Sequence, residues 1–146
     1  MKTYSIPRTS GAPDWNSVPA LAVDTVLWEP DCGIRMTQQL CYDETALYVR
    51  QRAWETAICA EYTAPLSPVH EDSCMEFFFA LGADDRYFNF EINPNGCIEL
   101  GFGPNRKNRI RICHKAEQET FQPRCVRTAD GWTAEYRIPL SFLRIL

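Results

Sequence analysis

The sequence predicts an all-β antiparallel fold, a β-sandwich or barrel. Two observations carry this. Short runs of alternating apolar and polar residues recur between clusters of Gly, Pro, Asn and Asp, the pattern of strands joined by turns. No segment shows the longer apolar periodicity of an extended amphipathic helix, and there is no internal repeat or low-complexity stretch.

In chain order, residues 1–20 hold Pro7, Gly11, Pro13 and Pro19 and read as an extended lead-in, tacked down by Trp15 and Val18. Residues 20–28 suggest a short strand, and Glu29-Pro30-Asp31-Cys32-Gly33 a turn. Arg35 to Tyr42 and Ala46 to Trp54 both alternate, with Asp43-Glu44-Thr45 between them, which predicts a hairpin. In its second arm Leu47 and Val49 share one face, and Tyr48, Arg50 and Arg52 the other. Residues 55–60 fit a strand or a helical turn, and Pro65 and Pro68 break the chain after them. Further strands are predicted over residues 109–114, 121–128 and 132–138. Ala129-Asp130-Gly131 separates the last two, and Ser141 is placed to cap a short terminal turn.

The stretch 69–102 is the most informative. Three apolar runs are joined by Gly82-Ala83-Asp84-Asp85 and Asn93-Pro94-Asn95-Gly96. If the first loop is residues 82–85, Met75 faces Ile92, Phe77 faces Phe90 and Phe79 faces Phe88, forming one wholly apolar face. The opposite face sets Cys74 by Asn93, Glu76 by Glu91, Phe78 by Asn89 and Ala80 by Tyr87. Two carboxylates directly across a strand pair repel, so an arginine, a cation, a shared proton or solvent must offset them. This acidic, aromatic face is the candidate functional face. The plain alternative is an outer face whose glutamates splay into water.

The 146 residues suit one domain with a sizeable core, and 45% hydrophobic with 23% charged residues is ordinary for a globular protein. A net charge of −4 argues against a nucleic-acid partner, which needs a basic footprint. No apolar run approaches a membrane span, and residues 1–8 lack the apolar centre of a signal peptide. The seven cysteines are odd in number and show no zinc-type spacing, which suits a reducing cytoplasm. A secreted protein whose signal is absent from this sequence is the alternative.

The motif Glu71-Asp72-Ser73-Cys74-Met75-Glu76-Phe77-Phe78, then Tyr87-Phe88-Asn89-Phe90-Glu91-Ile92-Asn93 and Gly96, is similar to the central part of family 9 carbohydrate-binding modules and their DOMON-like relatives. The similarity runs upstream through Leu47-Tyr48-Val49 and downstream to Trp132 and Ile138-Pro139-Leu140-Ser141. It implies a two-sheet antiparallel β-sandwich over residues 1–146, with 1–18 as lead-in, that binds sugar and catalyses nothing, with calcium as a structural ion. Two departures stand out. The family carries an aromatic, often Trp, before the first motif where this chain has His70. Relatives also continue past the Ile138-Pro139 segment, so a C-terminal strand and some site residues are expected to be missing.

Sugar recognition needs flat apolar surface and planar polar groups that pair with hydroxyls. The residues expected to supply them are Arg50, Trp54, His70, Glu76, Tyr87, Asn89 and Glu91, with Arg50 reaching the carboxylates if its strand lies beside theirs. No residue is expected to be catalytic. The main alternative is a structural or protein-interaction sandwich with a degenerate sugar site, and a homo-oligomer is compatible with either. Weaker readings make Glu76 and Glu91 a glycosidase pair, or His70 with Met75 or Met36 a haem ligand set. Asp84 and Asp85 are the candidates for calcium, against an ordinary acidic turn. Arg106, Lys107, Arg109 and Arg111 read as a solvated strand edge.

Overall fold

The computed structural model describes residues 3–27, 32–82, 85–112 and 117–144. The chain divides into two compact units, Met1–Thr56 with Gln118–Leu146, and Ala57–Glu117. No helix among the described residues is long and apolar enough to cross a membrane.

The first unit contains a five-stranded antiparallel sheet. Its strands are β1 (Leu21–Val23), β2 (Arg35–Tyr42), β3 (Ala46–Trp54), β8 (Arg124–Thr128) and β9 (Gly131–Pro139), in the order β1-β2-β3-β9-β8. The β2–β3 hairpin is the one predicted, and its turn is built by Asp43. The Asp43 carboxylate accepts from Thr45 N and Oγ1, both at 2.7 Å, from Ala46 N at 2.9 Å and from the Tyr48 hydroxyl at 2.9 Å. The side-chain and backbone donors of Thr45 hold its pKa down at about 2. On β9, Trp132, Ala134, Tyr136 and Ile138 are buried, as the alternation requires. Gly131 opens this strand at φ 153°, where a Cβ would stand 2.0 Å from the Ala53 carbonyl oxygen. The lead-in is tied to β2: Gln39 Nε2 donates to the carbonyls of Trp15 and Val18, each at 2.7 Å.

Three local expectations at the ends of these strands are corrected. Residues 55–60 form neither strand nor helical turn. Phe121 does not begin a strand but ends the helix α1 (Glu117–Phe121), because Gln122 turns the chain at φ 49° and Pro123 follows before β8 starts. Phe121 then packs edge-on against Phe142 of α2 (Leu140–Leu143), with ring centroids 5.1 Å apart. The residue preceding α2 is Pro139, which offers no side-chain cap, so Ser141 lies inside the helix rather than at its cap.

The second unit holds a four-stranded antiparallel sheet in sequence order: β4 (Met75–Phe79), β5 (Tyr87–Ile92), β6 (Ile98–Gly103) and β7 (Ile110–Arg111). The expected pairs Met75–Ile92, Phe77–Phe90, Phe79–Phe88, Glu76–Glu91 and Phe78–Asn89 are those observed. Met75, Phe77, Phe88, Phe90, Ile92, Ile98, Leu100 and Phe102 make one buried face. Its rings run as a ladder, Phe77 to Phe79 at 5.0 Å, Phe79 to Phe88 at 4.9 Å and Phe88 to Phe102 at 4.5 Å. The strand expected over 109–114 is regular only at Ile110–Arg111. Trp28, Asp84, Cys113 and His114 lie outside the described residues.

Candidate functional site

The second face of the four-stranded sheet carries a row of three carboxylates. Glu76 on β4 stands opposite Glu91 on β5, and Glu91 stands opposite Glu99 on β6. The pair Glu76–Glu91 was legible from the first hairpin. Glu99 follows from the second turn by the same counting, since Ile92 faces Ile98, and it is the site residue the sequence reading passed over.

Glu76 and Phe78 on the outer strand are exposed, but the rest of this face is not the solvated surface that the plain alternative required. Asn89 is 0% exposed, and Glu91 and Glu99 are 4% and 5% exposed. Two segments supply their neighbours. One is the chain after β6, through β7, where Arg109 lies 3.3 Å from Glu91 Oε1 and Arg111 Nε 2.8 Å from Glu99 Oε1. The basic cluster is therefore not a solvated edge: two of its arginines answer the repulsion of the carboxylate row. Gly101 and Gly103 make this approach possible. A Cβ on Gly103 would fall 2.5 Å from Arg109 Cα, and one on Gly101 2.9 Å from Arg109 Cδ.

The other segment carries His70, on the 3-10 turn Val69–Glu71. Its Nδ1 lies 3.8 Å from Oε2 of Glu91 and 3.8 Å from Oε2 of Glu99, while the ring is half exposed. Asp72 anchors this segment. Its carboxylate accepts from Glu61 N at 2.9 Å, Tyr62 N at 3.1 Å and Asn93 Nδ2 at 2.8 Å. Burial by itself would raise the Asp72 pKa, but these donors together hold it below the usual range. Arg111 adds a second tie by donating to the Leu66 carbonyl.

Within the row, one oxygen of each inner glutamate is paired and the other is not. Glu91 Oε1 meets Arg109 and the Asn89 amide, and Glu99 Oε1 meets Arg111. Glu91 Oε2, Glu99 Oε2 and Asn89 Oδ1 are buried with no hydrogen-bond donor among the described residues. Buried acceptors left without donors are costly, so these atoms mark where a ligand with donors or positive charge would be stabilised. Glu76 is raised from its ordinary carboxyl value, first by desolvation and then by the charge of Glu91, with Arg109 acting the other way. Burial likewise raises the Cys74 thiol. Beyond the charges, Phe78 is 50% exposed and its ring lies 5.8 Å from that of Tyr87, giving the face an apolar patch.

Of the residues expected at the site, His70, Glu76, Tyr87, Asn89 and Glu91 share the four-stranded sheet or the segment over it. Arg50 and Trp54 do not. Both lie on β3, whose neighbours are β2 and β9, so Arg50 pairs with its cross-strand partner Glu135 at 3.4 Å. Trp54 stacks under Arg52 at 4.8 Å and lines an apolar groove with Val23, Val26, Ile34 and Met36. Arg109 takes the role expected of Arg50.

Two groups of side chains among the described residues could share a cation: His70, Glu91 and Glu99, and Cys74, Glu76 and Glu91. Asp85 belongs to neither, and Asp84 lies outside the described residues. Neither group suits calcium, which takes roughly six to eight oxygen ligands and no imidazole or thiol.

The profile described as carbohydrate-binding family 9 matches residues 10–124. No curated protein sequence matches the chain. Among solved structures, a candidate carbohydrate-binding protein from Bacteroides uniformis ATCC 8492 superposes with TM-score 0.80 at 20% identity, over 97% of this chain and 74% of that one. A family 9 module from Caldicellulosiruptor kristjanssonii in complex with cellotriose gives TM-score 0.63 at 17% identity, over 93% and 66%. The same organism's family 9 module in complex with glucose gives 0.57 at 18%, over 93% and 69%. At these identities the likeness shows the fold, an all-β antiparallel two-sheet β-sandwich.

Proposed function

The chain belongs to carbohydrate-binding family 9, and we propose that the carboxylate face of its four-stranded sheet binds a mono- or oligosaccharide without cleaving it. One observation carries the reading: Glu91, Glu99 and Asn89 each present a buried acceptor with no donor among the described residues. Sugar hydroxyls are donors, and they also accept from planar guanidinium groups such as Arg109 and Arg111. The Phe78–Tyr87 pair offers the flat apolar surface on which the C–H face of a pyranose stacks. The family 9 modules with cellotriose and glucose support a β-glucan or glucose-type ligand.

Titration calorimetry against glucose, xylose, cellobiose, xylobiose and cellotriose tests this. Wild type is expected to bind at least one of them. Arg109→Ala and Glu91→Gln should each weaken that binding by about 1.5–3 kcal/mol, the scale of a hydrogen bond to a charged group. Binding that survives both changes moves the site elsewhere, with the Trp54 groove the first place to look. No binding across a broad glycan panel would favour the structural or protein-interaction reading, with His70 in place of a platform aromatic as the physical reason.

A further inference from the structure

We propose that His70, Glu91 and Glu99 form a binding site for one divalent transition-metal ion of the zinc class. The inference does not require the carbohydrate reading, although both use the same donor-less oxygens of Glu91 and Glu99. The imidazole Nδ1 is 3.8 Å from each of the two carboxylate Oε2 atoms, and all three atoms lie within 4.8 Å of one another. At 3.8 Å these contacts are too long to be hydrogen bonds. Ligands about 2 Å from a tetrahedral zinc stand about 3.3–3.4 Å apart, so the two imidazole–carboxylate contacts would shorten by about 0.5 Å around an ion and the carboxylate–carboxylate spacing by at most about 1.5 Å.

The second observation is independent of the spacing. Both Oε2 atoms are buried and have no hydrogen-bond donor among the described residues, while the companion Oε1 atoms are held by Arg109, Asn89 and Arg111. Each glutamate is thus oriented through one oxygen and offers the other, as carboxylate ligands are when an outer shell of hydrogen bonds positions them. The half-exposed His70 gives an entry path from solvent. One imidazole and two carboxylates suit zinc, cobalt, nickel or manganese better than calcium or copper(I). The two guanidiniums offset the two carboxylates, so the affinity should be micromolar rather than the tight binding of a structural zinc. Cys74, Glu76 and Glu91 form the competing cluster, and a sulfur ligand there would reveal itself by sulfur-to-metal charge transfer.

The test uses metal-free full chain with no sugar present. Zinc is titrated by calorimetry, and cobalt(II) by visible absorption. One equivalent of zinc should bind in the micromolar range, with cobalt bands free of sulfur-to-metal charge transfer. His70→Ala and Glu99→Gln should each weaken zinc by at least about tenfold, with thermal melts showing both variants folded. Millimolar-only binding, sulfur charge-transfer bands, or unchanged affinity in both folded variants would overturn the site. Sugar titrations repeated in chelator keep the outcomes separate, since sugar binding can survive chelation while the metal site fails, and the reverse.

Discussion

Arg109 crosses strand β6 over Gly101: a Cβ on that glycine would stand 2.9 Å from Arg109 Cδ and 3.1 Å from its Nε. The glycine is a gap in the polar face, between Glu99 and Gly103 along the strand, and the arginine uses it to reach Glu91 on β5 at 3.3 Å. Because the atoms in the way belong to a flexible side chain, Gly101→Ala should leave the fold intact and displace the guanidinium. A crystal structure of the variant should show Arg109 off Glu91, and affinity for any sugar bound by wild type should fall about tenfold or more. An unmoved Arg109 would refute this account of the glycine.

Phe77 and Phe78 are neighbours in sequence on opposite faces of β4. Phe77 is 8% exposed and Phe78 50%. Phe77→Ala should cost roughly 3–5 kcal/mol in urea unfolding. Phe78→Ala should cost under about 1 kcal/mol, because it loses only half-solvated stacking on Tyr87. Equal losses would contradict the register.

Gly131 admits no side chain. At φ 153° it lies where L-residues are strained, and the Ala53 carbonyl oxygen occupies the position a Cβ would take, 2.0 Å away. Gly131→Ala should therefore destabilise the fold by about 3 kcal/mol or more, read by thermal or chemical denaturation. A variant as stable as wild type would show that β3 and β9 are not paired as described.

Acid should weaken both anchored aspartates. The Asp43 pKa is depressed to about 2 by the Thr45 donors, and Asp72 is depressed by Glu61, Asn93 and Tyr62 despite its burial. A folded pKa below the unfolded value of about 3.9 contributes stability that is fully present above that value and is lost as pH falls through the folded one. For Asp43 this window runs from about 4 down to about 2. Urea unfolding between pH 6 and pH 2 should show stability falling in that range, and Asp43→Asn should flatten part of the fall. A profile identical in the two proteins would remove Asp43 from the account.

By itself the sequence determined most of the strands and the register of the β4–β5 hairpin. Alternation and turn chemistry are local: Asp43, Gly82, Gly96 and Gly131 mark the reversals, and a one-residue slip would expose every phenylalanine of the ladder. It also placed Glu76 against Glu91 and so announced an electrostatic problem on one face. Only the tertiary structure decided how that problem is solved. Arg50 and Arg109 are both arginines on alternating segments. Nothing local reveals that β3 pairs with β9 while the chain after β6 doubles back over two glycines, because sheet partners far apart in sequence are chosen by packing of whole faces. The same holds for His70, which reaches Glu91 and Glu99 because Asp72 and Asn93, 21 residues apart, hydrogen-bond to each other and pin the segment that carries it. Likewise, the end of helix α1 came from a backbone turn at Gln122 that no hydrophobic period encodes. Burial of Asn89, Glu91 and Glu99 is of the same kind: the pattern marks them as polar, and long-range packing determines that they are enclosed.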